Sequence, residues 1–221
     1  MWRRAFRVFV WSQVLLLFGL VAWAADFDRM ERQARQMYGG EAAARVVAWR
    51  ESVATARGLE ELEQLRRVND FFNRQVRFAD DIDIWGVPDY WATPLETLGR
   101  GEGDCEDFTI AKYMTLRELG ISNDRLRLIY VRAAIGGTAS GISQAHMVLG
   151  YYPSPTADPL ILDNLIDEIR PGSRRPDLTP VFSFNSDGLW VGGATSSSAD
   201  PTARLSRWRD VLERMRREGL R

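Results

Sequence analysis

The sequence predicts an α+β domain in which helices come first and a mostly antiparallel sheet follows. Between residues 42 and 76, apolar side chains recur at steps of three and four, the spacing of helices that bury one face. After Gly120 the pattern changes to short stretches in which apolar and polar residues alternate, as in half-buried strands. The turn-forming segment Asn185–Gly188 separates two of these stretches, which indicates a hairpin and therefore antiparallel pairing.

Two amphipathic helices are predicted in the first third of the chain. One apolar stripe consists of Ala42, Val46, Trp49 and Val53 and ends before Gly58, and the next consists of Leu62, Leu65, Val68, Phe72 and Val76. Stripes at this spacing are typical of core-facing helix surfaces. The following segment, Phe78–Tyr90, has no such stripe. A short helix is predicted after it, because Thr93 can cap a helix that has Pro94 at its first position and Glu96 completing a capping box.

Cys105 is predicted to lie in the first turn of a further helix. Asp104 can cap that helix, which runs to about Leu119, and Gly120 follows its end. The unsatisfied backbone N–H groups and the dipole of a helix N-terminus favour an anion. This position therefore favours a thiolate at Cys105 over the neutral thiol.

Five strands and a final helix are predicted after Gly120. The strands are Leu126–Tyr130, Met147–Tyr152, Leu160–Leu162, Val181–Phe184 and Leu189–Val191, with His146 at the entrance of the second and Asp163 after the third. Residues 194–199, which include three consecutive serines, are predicted to form a flexible loop. The final helix is opened by Asp200 and Pro201, and its apolar stripe is Leu205, Trp208, Leu212 and Met215.

The start of the chain is typical of an exported protein. Three arginines precede an apolar stretch from Val8 to Trp23, and the last residues of that stretch, with Ala24, fit a small-x-small cleavage site. Residues 1–24 are therefore predicted to be a signal peptide, which leaves a single domain over residues 25–221. A retained N-terminal membrane anchor is the alternative, since the shorter spanning helices need about 17 apolar residues. Both alternatives place the domain outside the cytoplasm.

The composition excludes some classes of function. The whole chain carries a net charge of −1, and removal of the leader arginines makes the remainder more acidic. Nucleic acid is not an expected partner, because a surface that binds it is usually basic. The chain has one cysteine and one histidine, which cannot form a disulfide framework or a Cys/His zinc site.

Three residues could carry nucleophilic catalysis: Cys105, His146 and Asp163. A lone thiol outside the cytoplasm is exposed to oxidants, so its retention favours a use for it. Adjacent strands can bring His146 beside Asp163, and a helix packed across the sheet can present Cys105 to His146. Cys105 would attack a carbonyl carbon, His146 would transfer the proton, and Asp163 would hold the imidazole in the useful tautomer. A buried apolar cysteine and a core histidine are the alternative.

Four segments resemble the bacterial transglutaminase-like cysteine proteinases, the family of the LapG-type periplasmic proteases. They are Asp89–Glu96, Gly103–Asp107, Ala145–Leu149 and Ile161–Leu165. The resemblance implies a transglutaminase/papain-like cysteine protease fold, with N-terminal helices packed on the sheet. It also implies a catalytic triad, which maps onto Cys105, His146 and Asp163.

The same resemblance implies dependence on a calcium ion. The acidic residues that flank the nucleophile, Asp104 and Glu106, correspond to the implied ligands. Calcium commonly takes about 6–8 oxygen ligands, so other donors are needed. Asp80, Asp81 and Asp83 are candidates, and a solvated acidic loop is an equally good interpretation of those three.

Proteases of this type cut large surface adhesins near their N-terminal end, at a dialanine-type site, and so release them from the outer membrane. An inner-membrane receptor for cyclic di-GMP binds and holds the protease when that messenger is abundant. The resemblance thus implies a periplasmic enzyme that controls biofilm attachment, with a large repeat adhesin as substrate and the receptor's periplasmic domain as inhibitor. No membrane contact is expected beyond the possible anchor.

Three other functions fit the same residues. A transglutaminase-like acyl transferase would use the same triad with an amine as acceptor, and a peptidoglycan amidase or peptidase would also be a Cys-His enzyme outside the cytoplasm. An inactive binding module is the non-enzymatic alternative, against which the intact triad weighs. Trp85, Tyr90 and Trp91 either crowd the substrate groove, so that small side chains flank the scissile bond, or belong to the core.

Overall fold

The structure is a computed structural model that describes residues 25–137, 140–192, 194 and 196–220. The predicted signal peptide or anchor, residues 1–24, lies outside these described residues. Among the helices of the described part, none is both long and apolar enough to cross a membrane.

The described residues form eight helices, and most of them precede the sheet in the chain. They are α1 (Phe27–Tyr38), α2 (Gly40–Ala56), α3 (Glu61–Gln75), α4 (Asp81–Trp85), α5 (Pro94–Arg100), α6 (Cys105–Glu118), α7 (Pro201–Arg204) and α8 (Ser206–Glu218). The cap of α5 is the predicted one, since the Thr93 hydroxyl accepts from the Glu96 N–H and the Glu96 carboxylate accepts from the Thr93 N–H.

The strands form one large antiparallel sheet and one small parallel pair. They are β1 (Arg77–Phe78), β2 (Glu102–Gly103), β3 (Leu126–Ala134), β4 (Ser143–Tyr151), β5 (Leu160–Leu162), β6 (Arg170–Pro171), β7 (Leu178–Phe184) and β8 (Leu189–Val191). The large sheet has the order β6-β5-β4-β3-β7-β8, and every pair in it is antiparallel. Strands β1 and β2 pair in parallel, and β2 leads directly into α6. The predicted α+β class is confirmed.

The main hydrophobic core lies between the helices and one face of the large sheet. Alternation along β3 and β4 places Leu128 and Leu149 in this core, whereas Ile129 and Val148 belong to a smaller cluster with other residues. The two clusters occupy opposite faces, because successive side chains of a strand point to opposite sides. Helix α6 packs between the other helices and the sheet, and all but its ends is buried. Its first residue, Cys105, is therefore held by a rigid element.

Four local expectations differ from the structure. Helix α1 was not predicted, because its sequence is mostly polar and only Met30 and Ala34 in it are buried. The segment after Phe78 contains α4, which at five residues is too short to show a stripe. Strand β4 begins at Ser143, so His146 lies inside the strand and not at its entrance. The predicted final helix is two helices, divided at the extended residue Leu205.

Candidate active site

The N-terminus of α6 carries Cys105 as its first residue. The Asp104 carboxylate accepts a hydrogen bond from the Glu106 N–H at 3.2 Å, and the Asp107 carboxylate accepts one from the Asp104 N–H at 3.4 Å. These reciprocal bonds are a capping box, which fixes the turn that leads into the helix. The sequence GDCED therefore places the thiol at the end of a capped, buried helix.

The Cys105 thiol is half-buried and lies among acidic groups. Its Sγ is 2.7 Å from Oε2 of Glu106. Burial raises the pKa of the Cys105 thiol, the charges of Glu106 and Asp104 raise it further, and a hydrogen bond from the Met147 backbone N–H opposes them. The sequence led us to expect a favoured thiolate from the helix dipole alone. Burial and the neighbouring carboxylates of Glu106 and Asp104 therefore oppose the effect of the helix dipole on this thiol.

His146 and Asp163 form a buried pair on neighbouring strands. Nε2 of His146 is 2.8 Å from Oδ1 of Asp163, and their side chains are 6% and 0% exposed. Asp163 follows β5, which pairs with β4, so the two residues meet as the strand prediction indicated. The Met147 N–H that acts on the Cys105 thiol belongs to the residue after His146. The nucleophile candidate thus lies beside the strand that carries the imidazole.

Arg175 is a further residue of the candidate site, and the sequence did not reveal it. Its Nη2 donates to Oδ2 of Asp163 at 2.8 Å, and both side chains are at most 1% exposed. Burial alone would raise the pKa of Asp163, but the hydrogen bond and charge of His146, the Leu165 N–H and Arg175 together lower it to about 2. Asp163 is therefore an ionised carboxylate with a fixed orientation. Arg175 had no distinguishing signal, since it lies in an irregular segment of an arginine-rich chain.

A cleft of about 380 Å³ opens onto Cys105 and His146. Its other described lining residues are Phe78, Asp80, Asp104, Glu106, Tyr130, Ile135, Gln144, Ala145 and Leu165. The three aromatic residues proposed from sequence do not line it. Trp91 is 8% exposed and stacks on Phe184 in the core, and Trp85 packs at a tilt against Tyr90, with ring centroids 4.6 Å apart. The expectation that these aromatics crowd the groove is therefore wrong.

A second group of carboxylates lies directly behind the cap of α6. One oxygen each of Asp81, Asp104 and Asp107 lies within 4.8 Å of the others, and Asp104, Cys105 and Glu106 form an overlapping group. Oδ1 of Asp81 is buried and has no hydrogen-bond partner among the described residues. Burial and the charges of Glu106 and Asp89 raise the pKa of Asp81 to about 6, and burial together with neighbouring carboxylates also raises the pKa of Asp104.

This arrangement fits a hard cation. Carboxylate oxygens within 4.8 Å of one another, one of them buried and without a hydrogen-bond partner among the described residues, are the kind of donor set that a divalent cation such as calcium prefers. Of the two ligands predicted from the resemblance, Asp104 belongs to both groups and Glu106 belongs to the group that includes Cys105. Of the three candidate loop residues, Asp81 joins the carboxylates, Asp80 lines the cleft, and Asp83 is exposed on α4. Asp107 was missed as a candidate ligand, although it lies in the same short segment.

Comparison with known sequences identifies the family of this chain. Residues 40–177 match the family described as bacterial transglutaminase-like cysteine proteinase BTLCP. The chain belongs to this family. The match spans the nucleophile candidate, the histidine, the aspartate and Arg175. No curated protein is similar enough in sequence to count as a match.

Solved structures of one transglutaminase-like proteinase, LapG of Legionella pneumophila, are similar to this chain. The EGTA-treated form has a TM-score of 0.75 and 38% identity, and the match covers 87% of this chain and 98% of that one. The calcium-bound form has a TM-score of 0.73 and 39% identity, over 86% and 98% of the two chains. The fold is thus that of a transglutaminase-like protease, as the sequence resemblance implied.

Proposed function

We propose that this protein is a cysteine endopeptidase that uses Cys105, His146 and Asp163. The observation that carries the proposal is the buried His146–Asp163 pair, at 2.8 Å, whose histidine lines the same cleft as the only cysteine of the chain. Membership of a cysteine proteinase family supports it. The alternative of an inert core histidine is disfavoured, because a core histidine needs neither an ionised buried partner nor a cleft.

The reaction follows from these contacts. His146 accepts the thiol proton, and the Cys105 thiolate attacks the carbonyl carbon of the scissile bond. The same imidazole then gives the proton to the leaving amine, and water hydrolyses the acyl-enzyme. Asp163, kept ionised by its contacts with His146, the Leu165 N–H and Arg175, fixes the tautomer of His146 and stabilises its charged form. The backbone N–H of Cys105, as the first helical residue, has no intrahelical acceptor and is the natural first donor of the oxyanion hole.

We further propose that calcium binds at the cap of α6. Asp104 and Glu106 are the ligands implied by the resemblance, and Asp81 and Asp107 complete the set by their position. The existence of calcium-bound and EGTA-treated LapG structures supports this choice of ion. When bound, calcium supplies positive charge beside acidic groups that otherwise oppose a thiolate. The four carboxylates fix the turn before Cys105 and so set the position of its Sγ.

The proposed substrate is the N-terminal region of a large repeat adhesin, and the proposed location is the periplasm. Both come from the resemblance to LapG-type proteases, and the leader-like residues 1–24 support the location. Control would be exerted by the periplasmic domain of an inner-membrane cyclic di-GMP receptor, which would bind and hold the protease. Three carboxylates line the cleft, so acidic residues at the cleavage point should be disfavoured. We expect Glu in place of the small residues there to lower kcat/KM by about 100-fold or more.

One experiment tests the function and its alternatives. The purified protein is incubated with the N-terminal segment of an adhesin from the same cell, with calcium or with EGTA, and any new terminus is sequenced. A single cut that needs calcium and disappears in Cys105→Ala supports the proposal. Incorporation of a labelled amine would instead indicate an acyl transferase, and release of peptides from wall fragments alone would indicate a peptidoglycan enzyme. If the protein acts on neither the adhesin segment, the labelled amine nor the wall fragments, the remaining alternative is an inactive binding module.

A further inference from the structure

The only lysine of the chain lies buried in the helix that carries Cys105. Lys112 is 1% exposed, and its Nζ donates a hydrogen bond to the main-chain carbonyl of Asp163 at 3.0 Å. Among the described residues, no carboxylate lies within 4.0 Å of its ammonium group, so it forms no ion pair. Burial lowers the pKa of Lys112 to about 7, although the charges of Asp163, Asp167 and Asp70 oppose this. Burying an amine that has one carbonyl partner lowers the stability of the folded protein. The burial of Lys112 therefore indicates a role other than stabilisation.

The carbonyl of Asp163 does not need Lys112 to be satisfied. Nδ2 of Asn73 on α3 donates to the same oxygen at 2.9 Å. The same Asn73 amide also donates to the Asp167 carboxylate at 2.7 Å, and Asn69 donates to the Asp167 carbonyl at 2.8 Å. Helix α3 therefore already holds the loop that follows β5. What Lys112 adds is a connection from that loop to α6.

A second side chain of α6 makes an equivalent connection. Thr109 is 2% exposed, and its hydroxyl donates to the main-chain carbonyl of Met147, the residue after His146, at 3.0 Å. Residues 105, 109 and 112 are separated by steps of four and three positions, so they share one face of the helix. Along that face, Cys105 carries the thiol, Thr109 donates a hydrogen bond to the strand of His146, and Lys112 donates one to the loop of Asp163.

We propose that Lys112 is a positioning residue for the reaction. Its hydrogen bond to the Asp163 carbonyl fixes the loop that carries the aspartate at a set distance from the helix that carries the nucleophile. Thr109 does the same for the strand of His146. The proposal rests on the proposed function, since it assigns a role within that triad. One consequence can be measured without a substrate. The hydrogen bond between His146 and Asp163 should depend on Lys112, although Lys112 contacts neither of the two bonded atoms.

The test compares Lys112→Met with Thr115→Val in the intact purified protein. Met has nearly the length of Lys and is apolar, and the Asp163 carbonyl keeps its bond from Asn73, so Lys112→Met should fold with an equal or higher melting temperature. Its kcat should nevertheless fall about 10- to 100-fold at a similar KM, because a small displacement of a catalytic group has that effect. Thr115 is the matched control, since it lies on the same helix, is 1% exposed and bonds Trp49 and not Asp163. Thr115→Val should lower the melting temperature and leave kcat unchanged.

A second measurement needs no substrate. The chain has one histidine, so the imidazole proton shared with Asp163 gives one far-downfield proton resonance in NMR spectra. In Lys112→Met this resonance should shift or be lost through exchange with solvent, whereas Thr115→Val should leave it in place. A wild-type protein that cuts nothing would refute the proposed function, while this resonance would still report on the role of Lys112.

Two further results decide the proposal. Lys112→Arg keeps a charged donor, so it should retain more of kcat than Lys112→Met even if it is less stable. A merely structural lysine predicts the reverse order, with activity following stability. A folded Lys112→Met protein with wild-type kcat and an unchanged histidine resonance would overturn the proposal. Lys112→Leu replaces Lys112→Met if the latter does not fold.

Discussion

At the scale of single residues, the site consists of a series of buried contacts that runs from His146 through Asp163 to Arg175. Each contact fixes the next, because Asp163 gives one carboxylate oxygen to each neighbour. Arg175 in turn donates to Asp177, which is only partly buried. The charge on Asp163 is thereby kept inside the protein, where an unpaired carboxylate would be protonated.

We expect the three predicted catalytic residues to differ in importance. Cys105→Ala should abolish cleavage and leave the fold intact, and His146→Ala should lower kcat/KM by at least about 1,000-fold, because the nucleophile and base act as a unit. Asp163→Asn should cost less, since an orienting residue is less critical. Rates of cleavage on all three variants check this order. Alkylation of Cys105 near neutral pH is the substrate-free check, and a rate in His146→Ala equal to wild type would show that His146 does not activate the thiol.

Arg175→Met should destabilise the protein in a way that depends on pH. The pKa of Asp163 is about 2 in the folded protein and about 3.9 in an unfolded chain. A lowered folded pKa stabilises the protein above about pH 4, and this stabilisation is lost as the pH falls toward 2. Removing one partner of a buried pair costs about 3–5 kcal/mol, and we expect that loss at pH 6.

Denaturation by urea at pH 6 and pH 3 measures this effect. The difference between Arg175→Met and wild type should shrink at the lower pH, where the unfolded chain takes up the proton. Arg174→Met is the matched control, because Arg174 is the exposed neighbour in the same turn and should change the free energy of unfolding by less than about 0.5 kcal/mol. An equal loss at both pH values would show that Arg175 acts through packing alone.

At the scale of elements, the N-terminus of α6 combines a helix cap with the proposed calcium site. Asp104 caps the helix and also belongs to both carboxylate groups. Helix α4 brings Asp81 to this point, and β2, which pairs with β1, leads directly into α6. The same short segment thus caps the helix and provides proposed calcium ligands. Asp104→Ala should therefore lose about 0.5–2 kcal/mol of stability from the cap alone, even in EGTA.

Asp81 and Asp83 allow a matched test of the calcium site. Both lie on α4, but only Asp81 joins the carboxylates behind the cap, and Asp83 is exposed. Asp81→Asn should weaken calcium binding measured by calorimetry and abolish activity at low calcium, whereas Asp83→Asn should change neither. Calcium at about 100 times its dissociation constant should add about 2.7 kcal/mol to wild-type stability. Full activity of the wild-type protein in excess EGTA, after confirmed removal of metal, would eliminate the calcium requirement.

At the scale of the whole molecule, α8 returns from the end of the described chain to the helices before the sheet. Trp208 is fully buried and packs against Tyr113 of α6 at 5.8 Å and Phe184 of β7 at 5.3 Å. Arg214 forms an ion pair with Glu96, the residue that completes the cap of α5. The last helix therefore supports the element that carries the nucleophile.

Trp208→Ala should cost about 3–5 kcal/mol of stability, the usual effect of emptying a fully buried tryptophan site. Urea denaturation checks the value. The neighbouring Arg207 makes an exposed ion pair with Asp89, so Arg207→Ala should cost less than about 1 kcal/mol. A loss below 1 kcal/mol for Trp208→Ala would mean that α8 is dispensable for the core.

The sequence by itself determined several of the longer elements and singled out three candidate catalytic positions. Local patterns can be recognised from the sequence alone, because they involve residues close together in the chain. They include the apolar stripes of α2 and α3, the caps of α5 and α6 and the alternation of β3. Uniqueness singled out Cys105 and His146, and the order of strands indicated that Asp163 would meet the histidine.

Only the tertiary structure decided which distant side chains surround those positions. Arg175, Lys112 and Asp81 come from separate segments, and nothing in the residues beside them distinguishes a buried partner from a solvated charge. The groove aromatics were misassigned for the same reason, since Trp91 is buried by contacts with the distant Phe184. Burial and charge pairing depend on contacts between residues far apart in the chain, and those contacts set the protonation of Asp163 and the surroundings of Cys105.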